Sequence, residues 1–439
     1  MLVALVLFLL TYVLMLCFSQ ARQFIALGSA LIFVALGSSG VYDMPLPAAL
    51  HAVDYNVLLM IGGTMGIVSL FIQSGMPARL SELLIAKVPN VQWAVAALAL
   101  FAGFISAFVD NVATVLMVAP VGLEISRKMK ISPVPVLIAI SVSSNLQGAA
   151  TLVGDTTSIL LGNFAGMNFL NFFWMDGKPG IFWGVELGAV VSAFVLLFLF
   201  RKEKQEVHSG IPTKVQDRFP TFLLLLTVAL LIAASFLPQP AGGWAATLYG
   251  LRNGVICMVL CLFGVVRACL RAKSAAPLMH VLGELDTDTL LLLFGLFIVI
   301  AGIQAAGVID AIANLFVRVA GDNPFVLYTL IVFASVGLSA FIDNIPYVAT
   351  MLPVVQSVAA MMHNGAGVAP YVFYFGLLSG ATLGGNLTPI GASANIAAIG
   401  ILRKHGERVT TRDFLRIGVP FTLAAVAAGY AYIWFVWGI

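Results

Sequence analysis

The sequence predicts an all-α integral membrane protein built from two inverted repeats, each with five transmembrane helices, one re-entrant hairpin and a broken helix. Three observations predict it. The composition is apolar and poor in charge. One polar linker divides two similar runs of hydrophobic spans. A short polar motif occurs once in each half, in the middle of an apolar stretch.

Of the 439 residues, 61% are hydrophobic and 9% are charged, against about 25% charged in soluble domains. A water-soluble fold of this length could not cover its surface with so few charges, so lipid is the main solvent. The net charge of +3 is too small to argue for a nucleic-acid partner. Cys17, Cys257, Cys261 and Cys269 lie in apolar stretches or at their edges. Cys257 and Cys261, one helical turn apart, read as small apolar side chains, with a soft-metal or arsenite thiol site as the alternative. Their spacing does not point to disulfides. The first stretch starts at Met1 without a basic region or a small-residue cleavage site, and reads as a retained helix.

A bilayer core takes about 20 mostly apolar residues per helix. Residues 1–200 form the first repeat, with spans at Leu2–Cys17, Phe24–Val41, Asn56–Gln73 and Ile181–Phe200. Its hairpin lies at about 92–126 and its broken helix at about 133–162. Residues 201–218, rich in Lys, Glu and Gln, are the linker. Residues 219–439 form the second repeat, with spans at Phe219–Leu237, Ala245–Val266, Thr289–Gly307 and Phe414–Val436. Its hairpin lies at about 325–362 and its broken helix at about 370–402. An odd number of crossings turns the second half upside down. Arg22, Arg79, Arg127, Lys128, the linker and Arg403 to Arg416 then fall on one side, and only Lys178, Arg252 and Arg318 on the other. Lys and Arg collect in cytoplasmic loops. The expected placement is the plasma (inner) membrane, with the linker cytoplasmic and both termini outside. Trp93, Trp174, Trp183, Trp244, Trp434 and Trp437 read as an interfacial belt. His51, His208, His280, His363 and His405 read as loop residues, and Glu124 and Glu186 as surface or interfacial ones.

The two halves match in sequence. Ser106-Ala107-Phe108-Val109-Asp110-Asn111 returns as Ser339-Ala340-Phe341-Ile342-Asp343-Asn344, and Pro120-Val121 as Pro353-Val354. Gly148 to Gly154 lines up with Gly385 to Gly391, which sets Thr151 on Thr388, Asp155 on Ala392 and Ser158 on Asn395. Polar interruptions at corresponding places of two repeats point to a transport site.

These residue types suit that chemistry. A carboxylate at the bilayer centre costs several kcal/mol unless it is paired, protonated or facing water. A hairpin tip meets that need, because unwound backbone at membrane depth lines a cavity or lies within protein. The candidate substrate- or ion-binding residues are Asp110, Asn111 and Thr114 at the first tip, and Asp343 and Asn344 at the second. Thr151, Gly154, Asp155 and Ser158 come from the first break, and Asn386, Thr388, Gly391, Ser393 and Asn395 from the second. Glycines let the chain leave helical geometry, and Pro389 removes a donor. The half-helix N-termini suit an anion, and carbonyls at the opposite ends suit Na⁺. A sodium ion would sit near Asn111, Asp155, Asn344 and Asn395. The bland readings are helix capping by the Asp residues and close helix packing through the small ones.

At these residues the sequence resembles the ArsB/NhaD/P-protein group of permeases, within the ion-transporter superfamily that includes citrate and dicarboxylate carriers. The resemblance spans essentially the whole chain. It is most specific at 339–347 and at Gly-Gly-Asn-Leu-Thr-Pro-Ile-Gly-Ala-Ser-Ala-Asn (384–395). Thr-Leu-Val-Gly-Asp (151–155) resembles the family's Gly-Asp-Pro-Pro-Asn region, with Thr156-Thr157-Ser158 where Pro-Pro-Asn is usual. The resemblance implies a mobile transport domain of hairpins and broken helices, a dimerising scaffold, and elevator-type alternating access.

The expected function is secondary active transport, coupled to H⁺ or Na⁺, of a small inorganic or organic ion. The leading expectation is efflux of an oxyacid such as arsenite or another oxyanion. Na⁺/H⁺ antiport through Asp110, Asp343 and Asp155 is one alternative, and a citrate or dicarboxylate carrier another. A channel and an intramembrane aspartyl protease at Gly154-Asp155 are remote. No ATP-binding loop is visible. No cofactor beyond the coupling ion is expected, and no enzymatic activity. The partners are the lipid bilayer and a second copy in a homodimer.

Overall fold

The computed structural model describes residues 1–206, 213–321, 323–362 and 370–438. His208 and His363 lie outside the described residues. The protein is mostly helical. The first half contains α1 (Leu2–Cys17), α2 (Arg22–Ser38), α3 (Leu46–His51), α4 (Tyr55–Gln73), α5 (Met76–Ile85), α6 (Val91–Ser106), α7 (Asn111–Met129), α8 (Pro133–Gly148), α9 (Thr156–Phe164) and α10 (Ile181–Leu199). The second half contains α11 (Phe219–Ala234), α12 (Gly243–Gly250), α13 (Arg252–Ala272), α14 (Ala276–Glu284), α15 (Thr287–Ala305), α16 (Val308–Ala320), α17 (Pro324–Ser339), α18 (Asn344–Met362), α19 (Tyr371–Gly384), α20 (Ser393–Lys404) and α21 (Thr411–Trp437). A two-stranded hairpin, β1 (Trp174–Met175) with β2 (Lys178–Pro179), precedes α10. Among the described residues, six helices have the length and hydropathy to cross a membrane: α4, α10, α13, α15, α18 and α21. Shorter apolar helices accompany them. The chain is a multi-pass membrane protein.

Local chemistry sets the helix starts. Asp54 caps α4 by accepting from the Val57 N–H at 3.1 Å, and Asp286 caps α15 by accepting from Thr289 at 3.0 Å. α4 ends at a turn where Gly75 takes φ +72°, and α15 ends where Gly307 takes φ +73°. Only glycine adopts that left-handed geometry at little cost.

Small residues set the packing. α4 lies along α13 and α15 lies along α2. At the first crossing, a Cβ on Gly63 would meet Met258 N at 2.7 Å and Cys257 Cβ at 2.8 Å. At the second, a Cβ on Gly295 would meet Ala26 C at 2.7 Å and Leu27 N at 2.8 Å. Without a hydrophobic drive in lipid, such close backbone approach is what holds helices together. Cys257 and Cys261 are buried at this contact, in line with the apolar reading.

The described ends of the linker, 201–206 and 213–218, are bonded down, and 207–212 lie outside the described residues. Val91 N–H donates to Gln205 O at 3.0 Å and Gln92 N–H to Glu203 O at 2.9 Å, which completes the start of α6. Gln216 N–H donates to Ser74 O at 2.9 Å, and Asp217 pairs with Arg267 and Arg271 at 2.7 Å each. The ends of α7 and α20 meet around a cavity that Arg127, Lys128, Lys404 and His405 help to line. These contacts gather basic residues on one end of the bundle.

The structure departs from several expectations. The run Ala245–Val266 is two helices, α12 and α13, interrupted at Leu251 just after Gly250. α3, α5, α14 and α16 are short helices where the hydrophobic pattern showed none. His280 lies within α14, and its ring nitrogen is 2.9 Å from Gln73 Nε2. Trp437 is 3% exposed, stacked edge-on against Phe375 and donating to Pro179 O, so it is a packing residue rather than part of a belt. Glu124 is a surface residue paired with Lys128 at 2.6 Å. Glu186 is only partly exposed, and its Oε1 is buried without a hydrogen-bond partner among the described residues.

Candidate functional site

Each Asp-Asn tip sits between two helices, and its aspartate caps the second. Asp110 Oδ2 accepts the Val112 and Ala113 N–H groups at 2.9 and 3.2 Å, starting α7. Asp343 Oδ1 accepts the Ile345 N–H at 3.1 Å, starting α18. Capping therefore holds, as the bland reading had it, and leaves carboxylate oxygen available for other work.

The two breaks are built alike. The Thr151 hydroxyl donates to Ala107 O and the Thr388 hydroxyl to Ala340 O, so each break is tied to its own tip. The Ser158 hydroxyl donates to Gly148 O at 3.4 Å, and the Asn395 amide to Gly385 O at 3.0 Å. A Cβ on Gly154 would meet Ser106 O at 2.8 Å and Ala107 O at 2.9 Å. A Cβ on Gly391 would meet Gly385 O at 2.7 Å and Ala340 O at 2.9 Å. Glycine is required in both places because carbonyls crowd the backbone. Thr114 is fully buried, and its hydroxyl bonds back to Val109 O at 3.5 Å, bracing the tip.

A buried amide and hydroxyl chain crosses from one half to the other. Ser106 donates to Asn111 Oδ1 at 2.7 Å, and Asn111 Nδ2 donates to Asn145 Oδ1 at 3.1 Å. Asn145 Nδ2 reaches Asn386 Oδ1 at 3.0 Å and Thr382 O at 2.7 Å. Ser141 donates to Asn395 Oδ1 at 3.0 Å, and Asn386 Nδ2 to Val142 O at 2.8 Å. The chain brings Asn111, Asn386 and Asn395 together. Asn344 is buried beside Asp343.

A cavity of about 150 Å³ opens where the first tip approaches the residue that follows the second, with Asp110 in its lining and Asp343 and Asn344 outside it. Asp110, Val112 and Thr156 come to it from the first half, and Ile345 and Ser393 from the second. Its charged lining residues are Asp110, Glu284 and Asp286, all acidic. A smaller cavity of about 20 Å³ adjoins it, lined by Asp110, Gly154, Asp155 and Thr64. Asp155 caps α9, its Oδ1 accepting from Ser158 N–H and the Thr157 hydroxyl at 2.7 Å each. Its Oδ2 is buried without a hydrogen-bond partner among the described residues. An oxygen so placed suits a proton or a small cation. No group of three or more His, Cys, Asp or Glu able to hold a metal occurs among the described residues.

The profile of a family described as "CitMHS: Citrate transporter" matches residues 5–377. The chain belongs to this citrate transporter family. Among its relatives is the uncharacterized transporter Rv2684 of Mycobacterium tuberculosis (strain ATCC 25618 / H37Rv), 31% identical over 87% of this chain and 86% of that protein. The P protein of Homo sapiens is 25% identical over 93% of this chain and 56% of its own length. Among solved structures, the Alcanivorax borkumensis YdaH transporter superposes with a TM-score of 0.62, covering 94% of this chain and 98% of that one at 13% identity. That likeness concerns the fold alone. The resemblance drawn from the tips and breaks agrees with these matches, and the chain is a membrane transporter of the citrate transporter family.

Sequence reasoning missed Arg22, Asn145, Ser141, Ser144 and Asp286. Ser144 donates to Asn111 O at 3.1 Å and to Ser106 Oγ at 3.1 Å. A signal was present for three of the five: Ser141, Ser143, Ser144, Asn145 and Gln147 crowd five polar side chains into one buried span.

Proposed function

We propose that the protein is a proton- or sodium-coupled secondary transporter whose coupling cation is held by Asp110 in the cavity at the first tip. One observation carries this reading: both halves line a single cavity beside a carboxylate that backbone N–H groups hold and no lysine or arginine of the lining neutralises. Its negative lining also sets an order of events. A small anion approaching three carboxylates is repelled, so the cation binds first and the anion follows. The solute in this reading is a small organic or inorganic anion. A citrate-like carboxylate gains weight over arsenite and other oxyanions from the family's description.

In the same reading the halves are inverted repeats, α6–α7 and α17–α18 are re-entrant hairpins, and the basic end of the bundle is cytoplasmic. Matched breaks, matched tips and the crosswise pairing of α4 with α13 and α15 with α2 support it. The hairpins and broken helices would move as one body against the remaining helices in a homodimer.

The test is flux in proteoliposomes under an imposed Na⁺ or pH gradient, with radiolabelled citrate, succinate and arsenite as probes. Accumulation of a probe against its gradient, lost in Asp110→Asn, is the expected result. Equal accumulation by both proteins would contradict the proposal. The all-acidic lining favours one second reading, Na⁺/H⁺ antiport. In that case a Na⁺ gradient alone moves protons across liposomes containing no other solute.

A further inference from the structure

Asp110 and Asp343 hold the same place in the two matched tips, yet their oxygens are used differently. Among the described residues, Asp110 accepts hydrogen bonds only from backbone N–H groups, and it lines the cavity. Asp343 Oδ2 is bound by Arg22 Nη1 at 3.0 Å, with the Ser393 hydroxyl at 3.4 Å. The pair is largely enclosed, with side-chain exposures of 20% for Arg22 and 8% for Asp343. The same guanidinium is also held through Nε, which donates to Met15 O at 3.4 Å.

The arginine reaches the tip from the first turn of α2, the helix that lies along α15. The crosswise packing identifies its counterpart. Gly295 abuts Ala26 as Gly63 abuts Cys257. Arg22, one turn before Ala26, is therefore matched by Asn253, one turn before Cys257. Asparagine carries no charge, so the matching position brings no counter-ion for Asp110, and the neighbouring Arg252 is turned to Tyr249 O at 2.9 Å.

We infer that Arg22 is a built-in counter-ion that fills the second of two equivalent cation positions, so that the chain takes up one mobile cation, at the Asp110 tip, where its matched halves would otherwise take two. The inference rests on the reading of Asp110 as the cation-binding carboxylate. Two physical points support it. A buried carboxylate is costly unless it is paired, protonated or facing water, and arginine keeps its charge at every physiological pH. A guanidinium on a tethered side chain cannot diffuse away as a bound ion can. The second tip is thus neutral throughout, and the number of cations moved per solute is set by a residue outside both tips. Arg22 acts here as a positioning residue that fixes stoichiometry.

The test counts cation equivalents per chain in purified, detergent-solubilised protein, as bound radioactive sodium plus protons taken up from weakly buffered choline chloride. Arg22→Gln should gain one equivalent over the native protein, and Arg22→Lys should count as native. The neutral pair Arg22→Gln/Asp343→Asn should also count as native, because no mobile cation is lost with Asp343. Arg22→Gln counting as native while its thermal melt shows it folded would overturn the inference. So would loss of one equivalent in the neutral pair, which decides the matter if Arg22→Gln does not fold. Failure of the underlying reading shows separately, as no loss of an equivalent in Asp110→Asn.

Discussion

Asn145 of α8 donates to the side-chain oxygen of Asn386 across the two halves at 3.0 Å. Asn145 lies on the helical arm that leads into the first break and Asn386 at the start of the second break, and both are almost wholly buried. Asn145 also accepts from Asn111 and donates to Thr382 O. One side chain therefore joins the first tip, the first broken helix and the second. Asn145→Ala leaves the Asn111 amide donor and the Thr382 carbonyl without their partner. An unsatisfied buried group costs about 1–3 kcal/mol. The expected outcome is a clear drop in melting temperature in detergent together with loss of flux, and an unchanged melt would separate the network from stability.

Asp110 does two jobs that substitution can separate. Asn caps a helix about as well as Asp, whereas Ala loses about 1 kcal/mol. Asp110→Asn should melt like the native protein while losing cation-driven flux. Asp110→Ala should lose both. Differential scanning fluorimetry beside flux measurements checks the pair of outcomes.

The glycines of the breaks are expected to tolerate no side chain. Gly154→Ala places a Cβ within 3 Å of three carbonyl oxygens and Gly391→Ala within 3 Å of two, all of them backbone atoms that cannot rotate away. Overpacking of this kind costs about 1–3 kcal/mol. Both variants should show reduced folded yield by size-exclusion chromatography, while Gly400→Ala, which meets nothing within 4 Å, should not.

The linker contact gives a pH dependence. Partial burial would raise the Asp217 carboxyl, but bonds from Arg267, the Phe219 N–H and Arg271 outweigh it and bring it from the ordinary 3.8 down to about 2. The folded value lies below the unfolded one. The stabilisation is therefore complete above about pH 4 and is lost as the pH falls through about 2. Asp217 is partly exposed, so the effect is small, about 0–1 kcal/mol. The melting-temperature difference between native and Asp217→Asn protein should be positive at neutral pH and shrink on acidification.

How much of this was legible in the sequence follows from what each residue depends on. Asp110, Asn111, Asp343 and Asn344 stood out because polar groups interrupt long apolar runs, and an interruption is a local signal. The breaks stood out for the same reason, through Gly154, Gly391 and Pro389. Arg22 did not. It stands alone at a helix start and reads as one more basic residue at a span end, and its role exists only because α2 lies beside α18 through α15, a pairing that no local pattern encodes. Asp286 likewise caps α15 and becomes a cavity residue only through tertiary placement. The short helices α5 and α16 escaped notice because they follow the spans directly and are separated from them only by Gly75 and Gly307. Ser158 and Thr388, expected at the substrate or ion, also make hydrogen bonds that close the breaks.

The central claim is that two oppositely directed halves meet at the cavity, and sidedness tests it most directly. Arg127 on α7 and Ala360 on α18 hold matched places, each sixteen residues after its tip asparagine, and both are exposed. Each is changed to cysteine in a background with Cys17, Cys257, Cys261 and Cys269 replaced by alanine. Right-side-out membrane vesicles are then treated with a membrane-impermeant maleimide. The expected result is labelling of Ala360→Cys in intact vesicles, and of Arg127→Cys only after the vesicles are opened. Labelling of both from the same side would contradict the account.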